Sequence, residues 1–221
     1  LPYKRNKKGK QGVAIATLRK YQTVVGKLAA FDKYKGKRHT FAEMTTGLSE
    51  EMSKYFQEVE RLSPNYSGRL LRFVATIARE ARSEVKIVSP HIDKWKGYKD
   101  ESAIVYLKPE EIQAIEAQRF TTDTMEAAKD WLVISCYTGQ RVSDLLRMNS
   151  AMIESHEDGE FSFSLITLTQ QKTGHTVSIP IHEKVQAILS KRGGEFPPTF
   201  GSSIESGAVI YNRLVKKVAK A

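Results

Sequence analysis

The first twelve residues carry no apolar rhythm, and helical periodicity begins directly after them. Over 13–34, apolar groups recur at helical spacing as Val13, Ala14, Leu18, Tyr21, Val25, Leu28, Ala29 and Phe31. Gly36 and the basic cluster around it stop that helix. Phe41 to Leu48 read as a loop or short turn. Ser49 reads as the N-cap of a second helix with Met52, Tyr55, Phe56, Val59 and Leu62 on its apolar face. Ser63-Pro64-Asn65 breaks it. A third helix covers about 66–86, burying Leu70, Phe73, Val74, Ile77 and Ala81, with Arg69, Arg72, Arg79 and Arg82 on its other face. Such helices form a small bundle over 13–88, followed by a linker at 89–104 that contains Pro, Gly and Lys.

The pattern changes in the second half. Leu107-Lys108-Pro109-Glu110-Glu111 starts a helix with proline in its first turn and acids where the helix dipole favours them. A long helix follows over 124–138. Phe161 to Leu168 alternate in part, and Val177, Ile179 and Ile181 alternate clearly. Lys172-Thr173-Gly174-His175 is the expected turn between these strands. Pro180 has no N–H for a ladder, which puts the return strand near a sheet edge or its end. Helices at about 182–191 and 206–220 close the chain. The expected fold class is mainly α with a small β-sheet.

Charge sharpens this division. Residues 1–100 hold 22 Lys+Arg against 10 Asp+Glu, and the remainder hold 13 against 15. The whole net charge of +10 therefore comes from the first half, as expected when one module carries the contacts to a polyanion. Lys4, Arg5, Lys7, Lys8 and Lys10 contribute to that excess from a flexible basic arm at 1–12. The single cysteine, Cys136, lies in an apolar helical run and reads as a packed thiol. No run of about 18 apolar residues and no leader pattern is present, which points to a soluble intracellular protein or a fragment of one.

One motif stands out for chemistry. In Thr138-Gly139-Gln140-Arg141-Val142-Ser143-Asp144-Leu145, a helix stops at a glycine, an arginine follows, and a helix restarts. A guanidinium held at such a junction suits a phosphate or carboxylate, which it grips through paired hydrogen bonds. Asp144, three residues on, is within helical reach to support Arg141. A surface ion pair at a helix junction fits the same spacing. Lys172 sits at the hairpin turn, where exposed lysines are common; beside Arg141 it gains meaning as a flexible cationic donor able to reach a bound phosphate. His39, His91, His156, His175 and His182 show no metal-ligand spacing, and no metal or cofactor is expected. Tyr211 lies in an ordinary amphipathic helix, so a packing role is expected for it.

These residues resemble a known family. Thr138 to Leu145 resembles the first catalytic-arginine motif of the tyrosine recombinases, or phage integrases. Gln171-Lys172-Thr173-Gly174, followed by Val177-Ser178-Ile179-Pro180-Ile181, is similar to the family's catalytic-lysine hairpin. Val105 to Ile112 resembles the opening of its catalytic domain, and 13–86 resembles its core-binding helical bundle, as in integrases of bacterial mobile elements. The resemblance implies a SAM-like core-binding bundle, then the N-terminal part of a mixed α/β catalytic domain over 105–221. It implies attack by a tyrosine on a DNA phosphate to form a 3′-phosphotyrosyl link. Arg141 is then the first catalytic arginine, Asp144 its supporting acid and Lys172 the general acid.

The family's later His/Lys-x-x-Arg motif and nucleophilic tyrosine have no counterpart in these residues. The expectation is therefore a chain that binds duplex DNA but does not cleave it, from a truncated catalytic domain. The partner implied is double-stranded DNA, clamped between the two halves, with Thr17, Lys20, Tyr21, Arg69 and Arg72 as the bundle's contacts. The protein is expected to be cytoplasmic and nucleoid-associated, without membrane contact. It should be a monomer when free and, when full-length, an oligomer on DNA. Two other readings stay open: a non-catalytic DNA-binding regulator on a recombinase scaffold, and a helical adaptor whose basic half meets an acidic protein.

Overall fold

The computed structural model of the protein describes residues 15–84, 87–101, 103–159 and 161–221. The arm expected at 1–12, the helix positions Val13 and Ala14, and the end of the third helix expected at 85–86 lie outside them. The chain divides into two compact units between Ile104 and Val105.

In the first unit, α1 spans Ile15–Lys35, and Gly36 follows in left-handed backbone with φ of 65°. Its core stripe contains Val24, Leu28 and Phe31, whereas Leu18 and Val25 are exposed. The helix α2 spans Thr46–Lys54 and starts earlier than Ser49, because the Thr45 hydroxyl accepts from the Leu48 N–H at 3.2 Å. A π turn at Tyr55–Val59 extends it and changes its rotation. Adjacent Tyr55 and Phe56 are both buried as a result, and Val59, expected on the apolar face, is exposed.

Ser63-Pro64 separates the second and third helices as expected, and the third begins at Pro64, slightly earlier than the 66 expected. The Ser63 hydroxyl accepts from the Tyr66 N–H, and Pro64 opens α3, Pro64–Ala81. The segment expected as a linker also enters the core. A 3₁₀ turn at Pro90–Lys94, capped by Ser89, sends Ile92 and Trp95 into the bundle. The Trp95 Nε1 donates to the Thr45 carbonyl at 2.9 Å. Arg79 donates to the carbonyls of Ile92 and Trp95, and Arg82 pairs with Asp93 at 3.0 Å, so these two arginines fasten that turn. A turn this short carries too few apolar positions to show a period.

The second unit contains α4 (Pro109–Ala117), α5 (Asp123–Thr138), α6 (Val142–Leu145), strands β1 (Ile153–Asp158), β2 (Phe161–Thr169) and β3 (Thr176–Pro180), then α7 (Glu183–Lys191) and α8 (Ile204–Val218). The three strands form one antiparallel sheet in the order β1-β2-β3. Pro180 sits opposite Leu165 on β3, at the sheet edge. Strand β1 was not anticipated. It reads Ile153-Glu154-Ser155-His156-Glu157-Asp158, with all but Ile153 exposed, so no alternation marks it.

The core of this unit is built around α5. Trp131 is fully buried, stacks on Phe196 at 5.7 Å and donates to the Pro198 carbonyl at 3.1 Å. Asp130 takes two hydrogen bonds from Arg192, at 3.0 and 2.6 Å. Cys136 lies on the outward face of the last turn, whose Thr138 is buried, and so is exposed rather than packed as expected. Its neighbours still desolvate the sulfur enough to push the thiol pKa up. Among the described residues no helix is long and apolar enough to cross a membrane.

Lys129 is buried on α5, donating to the Gln118 carbonyl at 2.7 Å and pairing with Glu126 at 2.8 Å. Burial opposes the Glu126 charge, but Lys129, the Phe120 N–H and Lys191 outweigh it and hold the pKa at about 2, against 4.5 for a free glutamate. A carboxylate with a lowered folded pKa stabilises above pH 4.5, and that contribution is lost as pH falls toward 2. Glu126→Gln is therefore expected to cost about 3 kcal/mol near neutrality, by leaving Lys129 buried without its partner. Denaturant titrations should show that cost shrinking between about pH 4.5 and 2. An equal loss at both ends of the range would remove this pair as the cause.

Candidate functional site

Helix α5 ends at Gly139, whose φ of 63° and ψ of 17° are left-handed, and whose N–H donates to the Ser135 carbonyl at 3.0 Å. Arg141 follows as the extended N-cap residue of α6, and its carbonyl accepts from the N–H groups of Asp144 and Leu145. Leu145, fully buried, pins this short helix to the core. Arg141 is thus exposed on a backbone that is fixed on both sides.

Asp144 does not support Arg141 directly. The helix runs only from Val142 to Leu145, and the carboxylate turns elsewhere. Its Oδ1 accepts from Arg147 Nη2 at 2.7 Å and from the backbone N–H of Gln171 at 2.8 Å. Arg147 Nη2 also donates to the Thr169 carbonyl at 2.9 Å. Asp144 is completely buried, which opposes its charge. The Gln171 N–H, Arg147 and, last, Arg141 more than offset this and hold its pKa below the usual carboxylate range. The acid therefore staples the helix junction to the end of β2, one residue before Lys172.

A pair of glutamines completes the link. Gln170 Oε1 accepts from Arg141 Nη1 at 3.3 Å and from the Thr173 hydroxyl at 2.9 Å. Gln170 Nε2 donates to Gln140 Oε1 at 3.1 Å, and Gln140 Nε2 donates to the Thr138 carbonyl at 3.2 Å. Lys172 is exposed at the tip of the hairpin. The tip is closed by Gly174 N–H donating to the Gln170 carbonyl and Gln170 N–H donating to the His175 carbonyl, both at 2.8 Å. Gln140, Gln170 and Arg147 were not singled out in the sequence. The only signal was that Gln140 adjoins Arg141, and Gln170 lies two residues before Lys172.

The other candidates separate clearly. Tyr211 is buried and stacks on Phe200 at 6.0 Å. Burial pushes its phenol pKa up to about 12, which marks it as a packing residue. His182 caps α7, accepting from the Lys184 N–H at 3.2 Å, and stacks on Tyr137. On the bundle, Lys20 and Arg69 line one small cavity of about 140 Å³ between α1 and α3. Arg69 and Arg72 line a second of about 230 Å³. Thr17 and Tyr21 line neither; Tyr21 sits edge-on to Phe73 at 5.8 Å. A larger apolar cavity of about 730 Å³ lies elsewhere in the bundle, beside Phe31, Met44 and Met52. A charged one of about 290 Å³ is lined by Glu116, Lys129 and Lys184. Neither includes Arg141 or Lys172, which are both exposed. Among the described residues no group of three or more His, Cys, Asp or Glu gathers to hold a metal ion.

The chain matches no protein-family model and no curated protein. Solved structures do match. A dimer of lambda integrase(75-356) bound to a COC′ core site superposes with a TM-score of 0.68 at 19% identity, covering 95% of this chain and 72% of that one. The chain has the lambda integrase fold. Two further lambda integrase structures, a dimer on a COC′ core site and a tetramer on a Holliday junction, each match with a TM-score of 0.65 at 19% identity. Both cover 95% of this chain, which spans 58% and 62% of theirs. The mainly α fold with a small β-sheet that the resemblance implied is thus the one observed.

Within this integrase fold the Asp144 staple ties the hairpin to the helix junction through a buried charge. Asp144→Ala removes two hydrogen bonds to one buried charge, and each such bond contributes about 1.5–3 kcal/mol. The expected cost is about 3 kcal/mol in urea denaturation, with faster hydrogen exchange at 169–174 than elsewhere in β2. Unchanged exchange there would show that the hairpin is held by other contacts.

Proposed function

We propose that this chain is the DNA-holding part of a site-specific tyrosine recombinase. The observation that carries the reading is the linkage of two cationic side chains. The Asp144 staple and the Gln140–Gln170 pair tie the Arg141 junction to the Lys172 hairpin, in a fold whose solved examples are bound to core-site DNA and a Holliday junction.

In this reading, Arg141 receives a non-bridging oxygen of the scissile phosphate. Its Nη1 exchanges the neutral Gln170 carbonyl for an anionic oxygen, a stronger hydrogen bond. As negative charge grows on the phosphate, a fixed guanidinium stabilises it without reorganisation. Lys172, on the hairpin tip, protonates the departing 5′ oxygen. In this mechanism a tyrosine attacks phosphorus and takes the 3′ phosphoryl group. Tyr211 is excluded from that role by its burial and its pKa of about 12. Asp144 acts through Arg147 and Gln171, as a positioning residue.

Both units contribute to binding. The basic excess lies in residues 1–100, and Lys20, Arg69 and Arg72 are exposed there. Thr17 and Tyr21 flank them on α1. The protein works where chromosomal DNA lies, in the cytoplasm, as a monomer until it assembles on its site. Tyr211's burial equally favours a second reading, a non-catalytic DNA-binding regulator on the same scaffold.

These 221 residues are expected to bind duplex DNA with steep salt dependence, the log–log slope gaining about −0.9 for each phosphate neutralised. Fluorescence anisotropy across a salt series measures it, and binding indifferent to salt would defeat the reading. In a protein completed with a nucleophilic tyrosine, Arg141→Ala should slow cleavage roughly 100- to 1000-fold. A covalent adduct that formed at the wild-type rate would remove Arg141 from the site. No covalent adduct from any extended form would favour the regulator.

A further inference from the structure

The segment following the 3₁₀ turn of the bundle is fastened at nearly every residue. Trp95 is buried, and its Nε1 donates to the Thr45 carbonyl. Gly97 and Gly68 let two backbones touch. A Cβ on Gly97 would collide with the Gly68 carbonyl, and one on Gly68 would collide with the backbone of Tyr98. The Tyr98 hydroxyl lies 2.8 Å from the Ser53 hydroxyl and accepts from Gln57 Nε2 at 2.6 Å. The Asp100 N–H donates to Asn65 Oδ1 at 2.7 Å, and Asn65 Nδ2 donates to the Asp100 carbonyl at 3.2 Å. Lys99 thus stands between two anchored residues, exposed, on a strap that crosses α3.

The strap makes one wall of the 230 Å³ cavity, which is lined by Asn65, Arg69, Arg72, Tyr98 and Lys99. Three of these are cations, and none of the five described lining residues is an acid. Arg72 spends one Nη2 contact on the Gly97 carbonyl, at 3.4 Å, and so is held against the strap. Drug-sized ligands occupy roughly 300–1,000 Å³. This smaller, polar, cationic cavity suits a single anionic group presented by a larger molecule. Arg69 also lines the adjoining cavity with Lys20, Thr23 and Tyr66, so a second cationic hold lies next to the first. Adjacent holds match a ligand whose anionic groups repeat.

We propose that residues 95–99 are a preorganised strap which places Lys99 with Arg69 and Arg72 to bind one backbone phosphate of duplex DNA. This rests on the reading that the bundle contacts DNA, and it adds a site in a segment that the sequence presented as linker. Lys99 is already positioned by its neighbours, so little backbone ordering is needed when the phosphate arrives.

The test is anisotropy of the 221-residue chain on a labelled duplex over a salt series. Lys99→Gln should flatten the log–log slope by about 0.9, the contribution of one phosphate. Gly97→Ala keeps Lys99 but displaces the strap, and should flatten the slope similarly. If that variant does not fold, as circular dichroism would report, Tyr98→Phe loosens the same strap by removing its hydroxyl anchor. Lys54→Gln, an exposed lysine on α2, should leave the slope unchanged. A Lys99→Gln slope equal to wild type, or an equal flattening by Lys54→Gln, would overturn the strap while leaving duplex binding intact. A folded Gly97→Ala or Tyr98→Phe variant with the wild-type slope would overturn its preorganisation. Wild-type protein that does not bind duplex would instead overturn the parent reading.

Discussion

A buried carboxylate cannot remain charged unless its surroundings replace the water it has lost. Asp144 meets that condition at one oxygen: its Oδ1 accepts from one guanidinium and one backbone N–H, those two partners belong to different elements, and Oδ2 is buried without a hydrogen bond among the described residues. Arg147 lies just beyond α6, and Gln171 lies where β2 gives way to the hairpin tip. Charge satisfaction at a single residue therefore sets the position of the hairpin relative to the helix junction. The cationic site depends on this: Arg141 is fixed by the junction, Lys172 by the tip, and Asp144 joins the two.

Arg141 itself is left available. Its contact at 3.3 Å is with a neutral amide oxygen, a bond that an incoming phosphate oxygen readily replaces. The buried acid is committed to Arg147, so it does not neutralise Arg141 with a direct ion pair. Arginine 147 takes the structural task, and Arg141 keeps its donors for an anion. A similar division appears on α3. Arg79 and Arg82 are bound to the 3₁₀ turn, while Arg69 and Arg72 line cationic cavities. Four arginines on one helix thus carry two different roles.

Much of the second unit was legible because its signals are local. Gly139, Pro109, the Lys172–His175 turn and Pro180 each restrict the backbone within a residue or two, and all four stand where their chemistry predicts. Strand β1 was hidden because its polar residues face solvent on both sides. The bundle was read less well. Thr45 displaced Ser49 as a cap, the third helix began at Pro64 rather than near 66, and a π turn rotated the apolar face of α2. In each case several adjacent residues offered comparable local chemistry, and packing chose among them. The exposure of Cys136 has the same origin, since an apolar run does not show which of its positions face outward.

The sequence by itself determined the start of α4, the end of α5, the hairpin, the uneven distribution of charge and the arginine at the junction. These follow from steric and capping rules that act over a few residues. Tertiary structure alone decided what Asp144 binds and that Ile92 and Trp95, in the segment expected as linker, pack into the bundle core. Asp144 reaches Gln171 across 27 positions, and Trp95 reaches Thr45 across 50. No local period encodes such distances. They are set when a buried charge and a buried indole must each find a hydrogen-bond partner inside a closed core.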